Sequence, residues 1–566
     1  MSSKRLQVFI GIYFGALCGI SHAQSVFDSV NAGSILRQTE KDLNIQTPPA
    51  TLKRPVPVPA RDIPPDAVTV KVNRFVFTGN TLLSDEQLQA SIAPYLGRPL
   101  SFIELQVAAD SVANAYRDAG WVVRAFLPKQ EIEEGVVKIQ IIEALFGRAL
   151  IEGKQPERIA ASRLIERVHT AQAPGQSLSS HNVDRVLLLL DDLPGVNVNG
   201  HLTEGENHAE TDLLLSVTDE SLIAGNIGLD RNGARSTGYE RLTANVSLNS
   251  PARMGDALIA NMLKTQGSDY ARLAYSIPLG FDGARIGVHG SFMNYQLLST
   301  FTATGANGNA SDLGLDYSYP LIRSLMQNLS LSLSYDEKGY FNQDNSGTNS
   351  EYKVRSGTLS LSGNRFDDVA GGGTNAMLLA LTRGSVDLAG SPNQAGDAAG
   401  AQTSGAYTKL NFTASRQQNI TPDLSMNLML SAQATDKNLD SSEKIYLGGA
   451  SGVRAFPNSE AGGSTGHTVT AELRQRLSDR WMMTGFYDYG RIHVYRYNYA
   501  ALATSLNAYE LSGLGVSISW QSLNGIDFQA SVAHRLEANP AANSHGLDSD
   551  GTKIINRIWI TASKLF

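Results

Sequence analysis

The sequence has a single cysteine and, after its first residues, no long apolar segment. Cys18 lies in an N-terminal apolar run, so a chain that loses this run can form neither a disulfide nor a thiolate metal site. No later stretch approaches the ~18 apolar residues of a membrane-spanning helix. The net charge of −7 lacks the basic excess of nucleic-acid-binding proteins. These absences exclude helical membrane spanning, thiol chemistry and a nucleic-acid partner.

Enzyme motifs occur only as fragments. Residues 462–466, GGSTG, match G-x-S-x-G, but a strand pattern follows where a nucleophile elbow requires a helix. Ser441 and Lys444 match S-x-x-K without the companion motifs S-D-N and K-T-G. Neither a phosphate-binding loop nor H-E-x-x-H is present. The sequence therefore predicts a protein that is not an enzyme, with no catalytic residue, no cofactor and no metal site.

Residues 1–23 have the pattern of a secretory signal peptide. Lys4 and Arg5 precede an apolar run over residues 8–20, and SHA at 21–23 supplies the small residues of a cleavage site. The run is shorter than the ~20 residues of a retained helical anchor. Leu17 argues against lipoprotein cleavage before Cys18, because a small residue is expected there. We expect an exported protein whose mature chain begins at Gln24.

A helical pattern and a proline-rich stretch follow. In residues 24–46, the segment 25–43 carries a partly apolar face that includes Leu36 and Leu43. Seven prolines lie between residues 47 and 65, and they predict an extended, semi-rigid linker over 47–66. A helix on such a linker can dock at a distance. A disordered N-terminal tail is the alternative.

Residues 67–144 and 145–220 share one order of elements, β-α-α-β-β, and so form an internal repeat. In the first unit we predict a strand over 68–80, and Ser84 and Ser101 each begin a helix with a capping box. In the second unit, a helix is predicted to begin at Pro156. Each small sheet leaves an edge to which an extended peptide could add as a strand. A purely structural spacer is the alternative.

From residue 221 to residue 566 the helical period is absent. Segments of about ten residues alternate in polarity between turn-rich stretches, as in transmembrane β-barrels. We count sixteen candidate strands, and the even number returns both ends of the barrel to the same side of the membrane. A soluble β-sandwich is disfavoured, because these thinly apolar strands could not fill one sandwich core. Phe566 ends the last strand, like the aromatic C-terminus of many outer-membrane proteins.

Two short segments in the barrel region stand out. VRAF, residues 453–456, lies in a long loop between the eleventh and twelfth predicted strands, and FYDYG, residues 486–490, lies on the thirteenth. With the preceding domain order, they resemble the V-R-G-Y and F-x-D-x-G motifs of the two-partner secretion transporters, the TpsB type. These are outer-membrane relatives of the assembly protein BamA, and their small periplasmic domains are POTRA domains. The resemblance covers essentially the whole mature chain.

The resemblance implies a site inside the barrel. Arg454 of the loop is expected to pair with Asp488 of the thirteenth strand, supported by the motif residues Val453, Phe456, Phe486 and Gly490. Ala455 and Phe456 depart from the Gly and Tyr of the family motif, which leaves the backbone of the loop tip open. A solvated loop arginine and an unrelated strand aspartate are the alternative, because most exposed ion pairs contribute little.

The resemblance also implies a function. An outer-membrane transporter of this kind recognises the N-terminal secretion domain of an unfolded partner in the periplasm. It then secretes this partner, a large adhesin-like or haemolysin-like exoprotein, through its barrel to the cell surface or medium. The helix of residues 25–43 would plug the barrel at rest. Further expected partners are outer-membrane lipid and the barrel assembly machinery, which would recognise Phe566.

Two other functions fit parts of the sequence. A barrel assembly factor, which inserts other outer-membrane proteins, is the main alternative, although such family members usually carry more POTRA domains and no plug helix. A simple diffusion porin would not need the two periplasmic domains.

Overall fold

The computed structural model describes residues 30–43, 69–207, 209–298, 305–499 and 506–566. The predicted signal peptide, residues 1–23, and the proline-rich stretch, residues 47–66, lie outside these ranges. Among the described residues, no helix is both long and apolar enough to cross a bilayer.

The first described element is helix α1, Ala32–Asp42. It begins with a capping box, in which the Asn31 side chain accepts the Ser34 amide and the Ser34 hydroxyl accepts the Asn31 amide. Leu36, on its apolar face, is 1% exposed. Helix α1 covers part of the predicted 25–43 segment, of which residues 25–29 are outside the described ranges.

The first periplasmic domain has a three-stranded sheet in the order β2-β5-β4, with β2 parallel to β5, and two helices. Its capping boxes at Ser84 and Ser101 are present as predicted. The single strand predicted over 68–80 is wrong, because the Val72 amide and carbonyl bond to residues 97–98 and split it into β1 and β2. The elements are β1 Thr69–Lys71, β2 Arg74–Thr78, α2 Asp85–Ile92, β3 Pro99–Ser101, α3 Phe102–Asp118, β4 Val123–Phe126 and β5 Val136–Glu143.

The second periplasmic domain repeats this plan, with a sheet in the order β6-β8-β7 and β6 parallel to β8. The prediction that its first helix begins at Pro156 is wrong. The Asp219 carboxylate accepts the amides of Glu157 and Arg158 and holds them in a turn, so the helix begins later. The elements are β6 Leu145–Glu152, α4 Ala161–Ala171, α5 Ser180–Asp191, β7 Val196–Glu204 and β8 Glu210–Asp219.

The rest of the chain forms a closed antiparallel barrel of sixteen strands, which confirms the predicted fold class. Two short strands in one loop, β20 Ile445–Tyr446 and β21 Gly462–Gly463, pair with each other, and α6 Gln394–Ala399 lies in another loop. The barrel strands are β9 Ile223–Asp230, β10 Arg241–Asn249, β11 Ala257–Lys264, β12 Ser268–Pro278, β13 Arg285–Gln296, β14 Asn307–Arg323, β15 Gln327–Asp344, β16 Gly347–Asp367, β17 Gly373–Asp387, β18 Gly405–Asn419, β19 Leu424–Thr435, β22 Thr465–Arg476, β23 Trp481–His493, β24 Ala508–Gln521, β25 Ile526–Arg535 and β26 Asn556–Leu565.

Side chains alternate between the two faces of the barrel wall. On β14, the outward Leu313 and Leu315 are 68% and 57% exposed, whereas the inward Asp312 between Ala310 and Gly314 is buried. Strand length is uneven, from 8 residues in β9 to 21 in β16. The outer wall is therefore apolar, and it is much taller on one side of the barrel.

Both ends of the barrel sheet meet at one seam. Strands β26 and β9 pair over five residues, from Thr561↔Asp230 to Leu565↔Asn226. Beyond this ladder, Phe566 and Gly225 exchange two backbone hydrogen bonds of 3.0 Å. The C-terminal residue thus closes the barrel through its backbone, and its ring, on a residue that is 53% exposed, faces outward.

The second periplasmic domain docks on the rim of the barrel. Arg323, at the turn between β14 and β15, makes a fork with Asp192 at N–O distances of 2.7 and 2.8 Å. Arg185 of α5 pairs with Asp282, in the turn between β12 and β13, at an N–O distance of 3.0 Å. These contacts identify the end of the barrel that lies beside the two N-terminal domains.

Candidate functional site

The loop between β19 and β22 folds back into the barrel. It runs from residue 436 to residue 464 and includes a 3-10 helix, Ser441–Glu443, and the short pair β20–β21. Leu447 and Val453 in this loop are fully buried against inward residues of the barrel strands, such as Leu511. The loop is therefore a packed part of the barrel interior.

Arg454 meets Asp488 in a bidentate ion pair, as the resemblance implied. Its Nε and Nη2 donate to the two carboxylate oxygens at 2.8 and 2.7 Å, and its backbone amide donates to the same carboxylate at 3.1 Å. The side chains of Arg454 and Asp488 are 12% and 1% exposed. A planar fork with several donors matches a carboxylate in geometry and in charge. Because both side chains are largely buried, the pair is mostly shielded from water.

A second carboxylate, Glu472 on β22, completes the arginine's coordination. Arg454 Nη1 donates to Glu472 Oε1 at 3.0 Å, and Arg474 donates to Glu472 Oε2 at 2.6 Å. The Thr470 hydroxyl donates to Asp488 at 3.1 Å. Sequence reasoning missed Glu472, although its place on the inward face of β22, opposite Phe486, is a signal that strand alternation could have supplied.

Two aromatic side chains hold Arg454 in place. The guanidinium carbon lies 3.5 Å from the centroid of the Phe486 ring, a stacked cation–π arrangement. From the last strand, Trp559 Nε1 donates to the Arg454 carbonyl at 2.8 Å. The sequence motif predicted Phe486, but nothing in the sequence pointed to Trp559, because it is distant in the chain.

The departures from the family motif are accommodated by neighbouring residues. The backbone of Ala455 is outside the positive-φ region, and its methyl group packs where Gly513 of β24 has no side chain. Phe456 is 1% exposed, and the centroid of its ring lies 4.3 Å from the guanidinium carbon of Arg535. A phenyl ring therefore fills this position without a hydroxyl.

Two further motif residues meet directly. A Cβ atom on Gly490 would lie 3.2 Å from Val453 Cγ2, so a larger residue there would press on the loop. The structure thus brings Arg454, Asp488 and four supporting motif residues into one cluster. Phe566 lies outside this cluster, at the barrel seam.

Glu460 ties the same loop to the loop between β25 and β26. Its carboxylate is buried and accepts the Asn539 side-chain amide and the Ser549 backbone amide, each at 2.9 Å. Asp548, beside Ser549, pairs with Arg535 and with Arg557. The inward loop is therefore fastened at two places, by Arg454 near its tip and by Glu460 near its return.

Helix α1 lies in the lumen beside this loop. The Ala32 amide donates to Asn342 of β15 at 2.8 Å, and Arg241 of β10 pairs with Asp42 at 2.5 Å. The Ser451 hydroxyl of the inward loop donates to Asp42 at 3.1 Å. Apolar residues of α1 pack against a cluster of inward side chains from the barrel wall. The helix and the loop therefore both occupy the barrel interior.

Comparison with known proteins assigns the chain to a family. Residues 209–519 match the family described as "Haemolysin secretion/activation protein ShlB/FhaC/HecB", and residues 70–144 match "POTRA domain, ShlB-type". The first match covers more than half of the chain, so the chain belongs to this family of two-partner secretion transporters. It is an outer-membrane protein transporter with its N-terminal domains in the periplasm, and the family favours export over barrel assembly as its function.

Curated relatives agree with this assignment. The chain is 27% identical over 468 residues to the heme/hemopexin transporter protein HuxB of Haemophilus influenzae (strain 86-028NP), covering 80% of this chain and 81% of the relative. It is 23% identical over 451 residues to the outer membrane transporter CdiB of Escherichia coli O6:K15:H31 (strain 536 / UPEC), covering 78% and 74%.

Solved structures share the fold. CdiB from Escherichia coli superposes with a TM-score of 0.71 at 18% identity, over 95% of this chain and 100% of that one. BamA from Haemophilus ducreyi, lacking POTRA domains 1–3, gives a TM-score of 0.53 at 15% identity, over 88% of this chain and 100% of that one.

Proposed function

We propose that α1 closes the lumen at rest and must leave it for secretion, while the Arg454–Asp488 pair keeps the inward loop in place. The observation that carries this proposal is the position of α1, whose polar groups bond to the wall and to the loop. A folded helix in the lumen obstructs an exported chain. Because polar contacts and a small apolar face hold it, its release need not disturb the closed hydrogen-bond ladders of the wall.

A disulfide lock tests this proposal. A Cβ atom built on Gly33 of α1 lies 3.0 Å from Ser442 Cβ in the inward loop, so a small movement of α1 away from the loop brings the two Cβ atoms to the spacing of about 3.5–4.5 Å found in disulfides. The only natural cysteine is Cys18, in the predicted signal peptide, so Gly33→Cys/Ser442→Cys introduces the only thiols of the mature chain. We expect the oxidised double variant to stop secretion and a reductant to restore it.

The single variants Gly33→Cys and Ser442→Cys are the matched controls, and both should secrete in oxidising and reducing conditions alike. Gel mobility with and without reductant confirms that the lock has formed. Normal secretion by the oxidised double variant would show that the partner passes while α1 stays docked, which contradicts the proposal.

We further propose that the partner's N-terminal region adds as a strand to β7 of the second periplasmic domain. At nine residues, β7 is the longest sheet edge in the two described periplasmic domains, against five in β2 and four in β4. The edge of β6 is partly covered, because the Phe146 amide donates to the Gln176 carbonyl. Strand addition needs a row of free backbone groups. On the open side of β7 the Val198 amide is occupied by Asp191, and residues 200–204 supply this row.

A proline substitution tests the β7 edge. The Val198 amide donates to Asp191 on the side away from β8, so the Leu202 amide, four residues on, points to the same open side. Leu202→Pro removes that donor and with it one backbone hydrogen bond to the added strand. If this loss costs about 1.4 kcal/mol of binding free energy, residues 68–220 should bind the partner's N-terminal region about tenfold more weakly.

Leu202→Ala is the control, because it removes the side chain and keeps the amide, and its affinity should match wild type. Calorimetry measures both variants. Equal affinities of the proline and alanine variants would rule out this edge. Equal binding of wild type to the partner's passenger region would indicate non-specific adhesion.

The remaining parts of the proposal concern cargo and surroundings. Relatives named for heme/hemopexin transport and for hemolysin transport support a large adhesin-like or haemolysin-like exoprotein as the partner. The outward apolar side chains support contact with outer-membrane lipid, and the C-terminal Phe566 supports recognition by the barrel assembly machinery. We propose that export depends on no enzymatic step by this chain.

A further inference from the structure

One cluster of ionisable side chains on the inner wall takes no part in the site above. It comprises His289 on β13, Asp312 and Asp316 on β14, and Asp336 on β15, all facing the lumen. His289 is paired with Gly314 in the sheet register, and Gly314 is paired with Asp336. The histidine and the three carboxylates therefore surround one glycine.

Gly314 makes room for the imidazole. A Cβ atom at this position would lie 2.4 Å from His289 Cε1 and 2.8 Å from Asp336 Oδ1, distances that no real side chain tolerates. The glycine lets His289 lie flat across β14 and point Nε2 toward both Asp312 and Asp336. Any larger residue would push these groups apart.

The distances within the cluster match a tetrahedral metal site. His289 Nε2 lies 3.3 Å from Asp312 Oδ2 and 3.2 Å from Asp336 Oδ1. Ligand atoms from the three residues all lie within 4.8 Å of one another. Tetrahedral zinc with bonds of about 2.0–2.2 Å places neighbouring ligand atoms about 3.3 Å apart, so both distances from His289 Nε2 match this spacing, and the two carboxylates are near enough to close around one ion.

The outer contacts of the cluster are those of a metal-binding histidine. His289 Nδ1 lies 2.6 Å from Asp316 Oδ2, so Nδ1–H donates to this carboxylate and Nε2 is left facing the two others. Metal-ligating histidines usually have such a carboxylate partner, which fixes the tautomer and orients the ring. The Ser334 hydroxyl donates to Asp336 at 3.3 Å and orients the second ligand.

Unsatisfied polar atoms give a second, independent indication. The Asp312 side chain is 4% exposed, and its Oδ1 has no hydrogen-bond partner among the described residues. Ser291, directly opposite Asp312 in the sheet, has a buried Oγ that likewise lacks a partner there. Buried polar atoms without partners are costly, and a bound cation with its water ligands would satisfy them.

We propose that His289, Asp312 and Asp336 bind a divalent transition-metal cation, with Zn²⁺ as the best match, and that Asp316 orients the histidine. One imidazole and two carboxylates suit zinc better than calcium or magnesium, which prefer all-oxygen sites. The rival arrangement is a doubly protonated imidazole that forms ion pairs with the surrounding carboxylates. The two differ in whether a metal is held.

The site lies next to the docking contact of α1. Asp312 is directly opposite Lys338 in the register of β14 and β15, and Lys338 pairs with Glu40 of α1 at 3.4 Å. A bound metal would link β13, β14 and β15 to one another. It would lie just on the periplasmic side of the Lys338–Glu40 ion pair. The ligands come from three strands and span residues 289–336, so no compact sequence motif announces them.

Metal content of the purified full-length protein tests the proposal. The protein, in detergent and without a histidine tag, is incubated with Zn²⁺, dialysed and analysed by mass spectrometry of its metals. We expect wild type to retain about one equivalent more than His289→Ala and Asp312→Asn. Asp316→Asn should bind zinc about 10–100-fold more weakly, because it removes only the orienting carboxylate.

The control is His467→Ala, since His467 is on the outward face of β22 near Tyr489. It should hold as much zinc as wild type, and heat-modifiable migration on gels verifies that each barrel is folded. X-ray absorption of zinc-loaded wild type should show one imidazole with oxygen ligands. If wild type holds no more zinc than His289→Ala, or the spectrum shows no imidazole, the cluster is only an ion-pair network.

Discussion

Replacing Arg454 by alanine should release the inward loop without unfolding the barrel. The substitution removes the fork to Asp488, the bond to Glu472 and the stacking on Phe486. Breaking a buried ion pair by removing one partner costs about 3–5 kcal/mol. A solvated lumen would reduce this cost, but the Asp488 side chain is only 1% exposed, so the full range applies. At 1.4 kcal/mol per factor of ten, the ratio of docked to released loop falls by about 10²-fold to 4 × 10³-fold.

The two single variants should differ in severity. Arg454→Ala leaves Asp488 and Glu472 as neighbouring buried carboxylates, whereas Asp488→Ala leaves Arg454 still paired with Glu472 and stacked on Phe486. We expect both to reduce secretion sharply, with Arg454→Ala the more severe. Arg454→Lys should be partly active, because an ammonium cannot form the fork. The double variant should be no worse than Arg454→Ala, since both remove the same interaction.

Secretion of the partner into the medium is the primary assay, with heat-modifiable migration on gels as the test of barrel folding. Protease added to whole cells reports whether the loop has become accessible. Arg416→Ala is the matched control, because Arg416 makes a similar fork with Asp367 at 2.7 and 3.0 Å, outside the inward loop. Wild-type secretion by both alanine variants at Arg454 and Asp488 would refute the role assigned to the pair.

Two further predictions concern the other parts of the chain. Deletion of residues 25–43 should raise single-channel conductance in planar bilayers, because α1 occupies the lumen, and unchanged conductance would contradict the plug. In the first periplasmic domain, partial burial acts to raise the pKa of Glu143, but hydrogen bonds from Thr81, Leu82 and Tyr116 outweigh it and hold that pKa below its usual range. A carboxyl group whose pKa is lower in the folded state stabilises the fold at pH values above its unfolded-state pKa of about 4.3. This stabilisation is lost as the pH falls through the folded-state pKa. Urea unfolding of the domain should therefore show a stability loss on acidification that is weaker in Glu143→Gln, and an identical pH dependence in both would contradict this.

Much of the architecture could be predicted because it depends on local patterns. Strand alternation and turn residues identified sixteen barrel strands, and the capping boxes at Ser84 and Ser101 identified two helix starts. The pair Arg454–Asp488 followed from two motifs and a family resemblance. In each of these cases, residues close in sequence carried the signal.

The features that sequence reasoning missed depend on long-range contacts. Pro156 favours a helix start locally, yet the Asp219 carboxylate holds the next two residues in a turn. Glu472 and Trp559 reach Arg454 only because barrel closure brings their strands beside the loop. The His289 cluster depends on the register of three strands, which alternation alone does not determine.

Because the barrel wall is uneven in height, its longer strands project beyond the outer surface of the membrane on one side only. On the outward face of β15, the unbroken run of apolar residues ends at Tyr335, and next above it Glu337 pairs with Lys353 and Arg355 of β16. Lysine or arginine on the lipid face at the bilayer midplane costs about 2–4 kcal/mol, so this charged group marks the upper limit of the bilayer. Strand β15 continues to Asp344, and a rise of about 3.3 Å per residue lifts its tip roughly 20 Å beyond that limit after strand tilt. A polypeptide that emerges from the barrel therefore meets a tall wall of β-strands on one side of the exit and solvent on the other. We expect it to leave toward the side where the strands are short.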